Sequence, residues 1–282
     1  MNNYIKIKSY AKINLALNII GKTSSLHKIE SIISLIDLHD EILIKKTKNK
    51  NHKVKFIGKF SKYISSNNTI SKLLEILDKK RLIKNLKFEI IIKKNIPQKA
   101  GLGGGSMNAA SILKFLIKKK LIKISKKEMY KICSLIGSDV ILGVHSNNLI
   151  LKSNRSIKNF LLKKKIHMLI VKPSLGCSTK EIFSKVKKFK KARFNQPTRS
   201  MFNLDFLRMM NNDLELIVLN KYPKINILKF FLEKLPKVNF VRMTGSGSAI
   251  IAYFNSYKKC KEAEKKVKKQ FRNYWSKTAK TI

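Results

Sequence analysis

The sequence predicts an α+β protein of two domains. Strand-like and helix-like stretches are mixed along it without strict β–α–β alternation. Its 282 residues are enough for two ordinary domains, each with a core of its own. A 44% hydrophobic content fits packed cores and not a disordered chain.

Residues 4 to 21 and 29 to 46 alternate Ile/Leu with polar positions and read as strands. Lys45 to Lys53 is a polar turn. Leu73 to Lys80 looks helical, Leu86 to Lys93 is a strand, and Ser106 to Lys118 is a helix. Lys126 to Leu135 is another helix, with Ser125 and Glu128 at capping-box spacing and Gly137 as its stop. His145 to Leu151 returns to strand, and a second unit starts near 156. Ile166 to Lys172 reads as a buried strand ending at Pro173, and Lys185 to Pro197 as a basic loop. Residues 203 to 220 and 224 to 235 suggest helices, 239 to 254 a strand–TGSGS–strand unit, and 257 to 270 a closing helix.

Between the strand at 86–93 and the helix at 106–118 lies IPQKAGLGGGSMNAA, residues 96 to 110. Glycine permits positive φ and close approach of backbone to a ligand. A glycine loop that opens a helix presents unpaired N–H groups and the positive end of the helix dipole, which is an anion site. It is not the dinucleotide fingerprint, because Ser106 stands where the third glycine belongs and residues 112 to 127 hold no acid. The G-K-T at Gly21 to Thr23 is not a nucleotide loop either, since Ala16 replaces its first glycine within a strand-like run.

The formal charge of +46 raises the question of nucleic acid. Only 7 of the 62 basic residues are arginine, the residue suited to bidentate phosphate and base recognition, and the lysines are spread over the whole length. The charge therefore reads as incidental, in keeping with the abundance of Asn and Ile that an AT-rich genome produces. No apolar run reaches the roughly 18 residues of a membrane span. The N-terminal segment has no signal-peptide pattern. Three widely spaced cysteines (Cys133, Cys177, Cys260) argue against a disulfide framework and for a reducing cytoplasm. Five histidines without ligand spacing give no expectation of a His/Cys metal site.

Pro97 to Ala110 resembles the second signature of the GHMP small-molecule kinases. Tyr10 to Lys22 (YAKINLALNIIGK) is similar to their first signature and Val241 to Phe254 (VRMTGSGSAIIAYF) to their third. The resemblance runs over essentially the whole chain and is weakest at 45–70 and 180–200. Leu26 to Ile42, Ile136 to Val144 and Asn211 to Glu215 are similar to the branch that phosphorylates a cytidine-diphosphate-linked methylerythritol on the non-mevalonate route to isoprenoid precursors. The resemblance implies a two-domain GHMP kinase fold. Residues 1–155 would form a ribosomal-protein-S5-domain-2-like N-terminal domain, and 156–282 a ferredoxin-like C-terminal domain completing the substrate cleft. It also implies ATP as phosphoryl donor, Mg2+ bridging the phosphates, a cytoplasmic enzyme, and a monomer or weak homodimer.

Carried onto this chain, Lys12 and Asp139 become the catalytic pair. Pro97, Gly101, Leu102, Gly103, Gly104, Gly105, Ser106, Asn108, Gly245 and Gly247 fall on the nucleotide-binding motifs. Asn14, His27, Thr179 and Phe183 fall on the substrate side. A carboxylate can accept the hydroxyl proton while an ammonium offsets phosphate charge, which is what phosphoryl transfer needs. Read without the resemblance, Lys12 is one surface lysine among 55 and Asp139 is a helix cap. The family usually has Gly-Tyr before the histidine, where this chain has Ser25 and Leu26, and leucine offers no π face to a base. Ala100 replaces a frequent glycine and is tolerable only at negative φ. Three alternatives stay open: another GHMP kinase, a basic nucleic-acid-binding module on a related fold, and a kinase degraded by drift, as the departures at Leu26 and Ala100 would allow.

Overall fold

A computed structural model describes residues 4–24, 26–145 and 148–282. The chain opens with two long strands, β1 (Ile5–Lys22) and β2 (His27–Thr47), followed by β3 (Lys53–Ile57), helix α1 (Thr69–Lys79) and β4 (Lys87–Lys93). Helices α2 (Gly104–Lys118), α3 (Lys126–Ile136) and α4 (Val140–Val144) come next, then strands β5 (Asn148–Leu151), β6 (Ile157–Phe160) and β7 (His167–Lys172). The remainder is α5 (Thr179–Ser184), α6 (Leu204–Arg208), α7 (Glu215–Lys221), α8 (Pro223–Glu233), β8 (Phe240–Met243), β9 (Ile250–Phe254), α9 (Tyr257–Gln270) and β10 (Trp275–Lys280). The α+β class is as the sequence predicts.

The chain forms two compact units that interleave along the sequence. One contains the chain up to Lys12, Leu38–Gln98 and Gly103–His145; the other contains Ile13–Asp37, Lys99–Leu102 and the chain after His145. The interleaving lies within residues 1–155, the span expected from sequence to form the N-terminal domain. The cause is the length of β1 and β2, each of which contributes residues to both units.

In the first unit, β4 pairs antiparallel with β2 from Glu41↔Lys93 to Thr47↔Lys87, and β3 runs parallel to β4. Ile42, Ile44, Phe88, Ile90 and Ile92 form one wall of its core, and Leu73, Leu77, Ile112, Leu113 and Leu116 the facing helical wall. Helix α1 begins before the expected Leu73 because Asn68 caps it. The Asn68 side chain accepts from the Ile70 and Ser71 amides, and Ser71 Oγ accepts from the Asn68 amide. Ser125 caps α3 through the Glu128 amide as predicted, while the Glu128 carboxylate turns instead to Lys80 at 2.7 Å.

In the second unit, β10, β7, β9 and β8 form a four-stranded antiparallel sheet in that order. Separately, β5 pairs with the Ser31–Ser34 stretch of β2 and with β6. Leu169, Val171, Ile250 and Ala252 pack under Val218, Ile225, Leu228, Leu232 and Val267. The helix expected over 203–220 is broken between α6 and α7. Leu17 of β1 donates to the Asn211 carbonyl and accepts from the Asp213 amide, both at 3.0 Å, which holds 211–213 extended. The region 185–197 is irregular except for a bend, as its composition suggested.

Cys133, Cys177 and Cys260 are free and buried. Burial pushes the first two thiols up to about 11 and the third to about 12. A thiolate is the reactive form, so all three are expected to resist a thiol-specific reagent in the native protein at pH 8 and to react on unfolding. Rapid labelling without denaturant would contradict their burial.

Candidate active site

Lys12 lies in the part of β1 that belongs to the first unit and is only 4% exposed. A lysine so deeply buried must be paired, and its Nζ lies 3.3 Å from Asp139 Oδ2. Asp139 occupies the N-cap position of α4, yet its side chain makes no capping hydrogen bond. Its carboxylate faces Lys12 and keeps 35% of its surface exposed. The reading of Lys12 as a surface lysine and of Asp139 as a cap both fail on this geometry. Gly143 places α4 against α2, because a Cβ there would stand 2.6 Å from Ala110 Cβ.

Helix α2 starts beside this pair. Gly103, at φ +68°, is its N-cap and supplies no side-chain bond to the first turn. A Cβ on Gly103 would come within 2.9 Å of Lys12 Cγ, so the loop backbone lies directly over the lysine stem. The opening turn Gly104, Gly105 and Ser106 is partly or fully open to solvent. Uncapped amides, the positive dipole end and an adjacent ammonium make an anion cradle.

The loop is held from behind by Asp40, which the sequence reading did not single out. Its fully buried carboxylate pairs with Lys94 and accepts from the Asn95 amide at 2.7 Å and the Ile96 amide at 2.8 Å. It also accepts from Asn108 Nδ2 at 3.0 Å. Asn108, 1% exposed, therefore braces the cradle internally. Pro97 and Leu102 are likewise buried and pack rather than face solvent.

The second unit joins two glycine motifs backbone to backbone. Gly101 sits at φ +73°, and a Cβ there would fall 2.0 Å from the Thr244 carbonyl oxygen. Gly245 approaches the Gly101 carbonyl in the same way, and the Gly247 amide lies beside Gly101. The Ser248 amide donates to Lys99 and Ala249 to Ala100, while Asn212 Nδ2 donates to the Met243 and Gly245 carbonyls. Ala100 is not among the residues at positive φ, which is why alanine is accepted there. Asn14 is buried, with its amide on Thr244 Oγ1 and its Nδ2 on Ser31 Oγ. Thr179 Oγ1 meets Ser246 Oγ at 2.9 Å, tying α5 to the third glycine motif.

His27, at the start of β2, is in ring contact with Phe183 at 5.2 Å between centroids. Burial, and then the charge of Lys22, lower its pKa below the ordinary histidine value. Leu26 beside it is 51% exposed, and Ser25 lies outside the described residues. A cavity of about 710 Å3 in the first unit, between Phe88, Phe115 and Leu121, contains none of these residues.

Residues 68–149 match the family model of the GHMP kinases N terminal domain. A 4-diphosphocytidyl-2-C-methyl-D-erythritol kinase of Pelagibacter ubique (strain HTCC1062) is 58% identical over 99% of this chain and 100% of its own length. The chain belongs to that kinase family. A second member, from Thermoanaerobacter pseudethanolicus, is 31% identical over 95% of this chain and 93% of its own. The fold agrees with the crystal structure of a 4-(cytidine 5'-diphospho)-2C-methyl-D-erythritol kinase, at a TM-score of 0.77, 19% identity and coverage of 98% and 99%. It agrees also with homoserine kinase from Cytophaga hutchinsonii, at 0.73, 15% identity and coverage of 100% and 95%. GHMP kinases are ATP-dependent, and the α2 cradle suits a nucleotide's phosphates. Among the described residues no three His, Cys, Asp or Glu gather to hold a metal. No described helix is long and apolar enough to cross a membrane.

Proposed function

We propose that this kinase moves the γ-phosphoryl group of ATP to the 2-hydroxyl of 4-diphosphocytidyl-2-C-methyl-D-erythritol, with Lys12 and Asp139 as its catalytic pair. The observation that carries the reading is the 3.3 Å contact of buried Lys12 with Asp139 beside the uncapped start of α2. Asp139 accepts the proton of the attacking hydroxyl. The hydroxyl oxygen forms the new P–O bond as the bond between the γ-phosphorus and the β,γ-bridging oxygen breaks, and ADP leaves with that oxygen. Lys12 fixes the carboxylate and adds positive charge where the transferred group is most negative. Gly103, Gly104, Gly105 and Ser106 cradle the phosphates, and Gly101, Gly245 and Gly247 fix the loop that leads into them. Mg2+ would be held through the phosphates rather than by a protein carboxylate set, and no step above depends on it. The domain division at 155/156 and a cytoplasmic location belong to the same proposal.

Asn14 and Thr179 act as positioning residues, and His27 reads the cytosine edge against Phe183. Only the neutral imidazole has an acceptor nitrogen, which can take a hydrogen bond from the N4 amino group of cytosine; the imidazolium has two donors and cannot accept from it. Because burial lowers the pKa of His27, the neutral form is favoured at neutral pH. KM for the cytidylyl substrate is expected to be flat above neutral pH and to rise as the pH is taken into the acid range. A flat KM through acid pH, or the same rise in His27→Gln, would remove His27 from this role.

The direct test is coupled ADP release with magnesium–ATP and each of three acceptors: the cytidylyl methylerythritol, mevalonate and homoserine. Release with the first alone is the expected result. Release with either of the others, and not the first, would move the chain to another GHMP activity. No release with any acceptor, together with binding of RNA or DNA that collapses at modest salt, would favour the nucleic-acid reading.

A further inference from the structure

The basic run Lys185–Arg193 has one aromatic residue, Phe189, and it is 48% exposed. An aromatic ring left half in water gains little from the core, so its place calls for another cause. Its ring lies 6.4 Å from that of His27, the histidine that also meets Phe183. Two phenylalanines from different segments thus converge on one imidazole. No contact of this kind was visible in the sequence, where Phe189 and His27 are far apart.

The segment carrying Phe189 is pinned although it has no regular structure. The Lys190 amide donates to the Ile19 carbonyl at 2.9 Å, and Lys190 Nζ pairs with Asp213 at 2.5 Å. Downstream, the Arg193 and Phe194 amides both donate to the fully buried carboxylate of Glu30, at 2.7 and 3.0 Å. The Phe194 ring is wholly buried. Phe189 is therefore one residue from a fixed backbone, and its ring is left half uncovered. Preorganised aromatic faces of this sort lose little entropy when a ligand stacks on them. Lys187, Lys188 and Lys191 neighbour it in sequence and are exposed, so the segment is strongly positive. A half-exposed aromatic ring on a positive segment suits a nucleotide, whose base stacks and whose phosphates are anionic.

We propose that Phe189 is a specificity residue that stacks on the pyrimidine base of the substrate, supplying the π face that Leu26 lacks, with Glu30 as the positioning residue that fixes its loop. This rests on the cytidylyl reading given above.

The experiment measures KM for the cytidylyl substrate and for ATP in Phe189→Ala, Phe189→Leu and Phe189→Trp. Calorimetric binding of cytidine 5'-diphosphate to the same proteins without ATP runs beside it. The expected result is a rise of about 5- to 150-fold in the cytidylyl KM for Ala and Leu, the range that loss of one base–aromatic stack gives. The Trp variant recovers, and kcat and the ATP KM stay unchanged. Binding of the diphosphate should weaken in parallel. Glu30→Gln should raise the same KM by a smaller factor, with kcat retained. If Ala binds both cytidine ligands as tightly as native protein, the inference is overturned. If native protein releases no ADP with the cytidylyl substrate yet binds the diphosphate in a Phe189-dependent way, the inference stands and the proposed reaction falls.

Discussion

Exchanging Asp139 for asparagine is expected to lower kcat by about 10²- to 10⁴-fold, the usual contribution of a general base, while ATP binds nearly as before. The amide keeps the shape of the carboxylate and an oxygen for Lys12, but it cannot take a proton. Lys12 is only 4% exposed and loses its charge partner in this exchange, so stability should fall, but by less than at the wholly buried Asp40 because Asp139 is 35% exposed. The phosphate cradle is built from the α2 turn and does not use the Asp139 side chain, so nucleotide affinity should hold. Coupled ADP release gives the first quantity and calorimetry with ATP the second. Turnover close to native in a folded Asn variant would sink the catalytic assignment. A parallel loss of ATP binding would instead make Asp139 part of the cradle.

Replacing Asp40 with alanine should have the largest effect on stability. The carboxylate is wholly buried and satisfies Lys94, two backbone amides and Asn108. Lys94 is itself only 4% exposed, so removing its partner leaves an uncompensated charge in the interior. The general cost of breaking such a pair is about 3–5 kcal/mol. The Asn95 and Ile96 amides lose their acceptor as well, which loosens the entrance to the glycine loop. Denaturant unfolding should show the loss directly, with faster hydrogen exchange at the start of α2. Asp40→Asn, which keeps an acceptor for the amides, should fall between native and alanine. An alanine variant as stable as native protein would show that the network contributes no net stability.

Much of this network could have been read in advance. Strand β2 buries Ile36, Leu38, Asp40, Ile42 and Ile44, a strict period of two. An acid in an inward slot of that series must find partners, and only the acid's identity was overlooked. The missed strand β3 is different. KVKFI has no fully buried position in its five residues, so its alternation carries weak contrast. Strand β10 likewise buries only Thr278 and Ala279, and WSKTAK shows no apolar run. The false continuity of 203–220 came from apolar spacing that persists across Asn211–Asp213, where pairing with Leu17 overrides it. For the site, the glycine loop declared its chemistry by composition alone. Lys12 and Asp139 did not, because each is an ordinary residue made special by a contact across more than a hundred positions.

The interleaved segments also set a timetable for synthesis. In the second unit the Ile282 amide donates to the Leu35 carbonyl, and Ile36 bridges to Thr281. Thr281 and Ile282 are made about 245 residues after Leu35 and Ile36. At roughly 5–20 residues per second, the nascent 13–37 segment waits on the order of 10–50 s for them. For that interval its apolar strand face leaves the ribosome without its final neighbours. The first unit, complete at His145, can fold well before. Demand on chaperones should therefore concentrate on Ile13–Asp37 during translation.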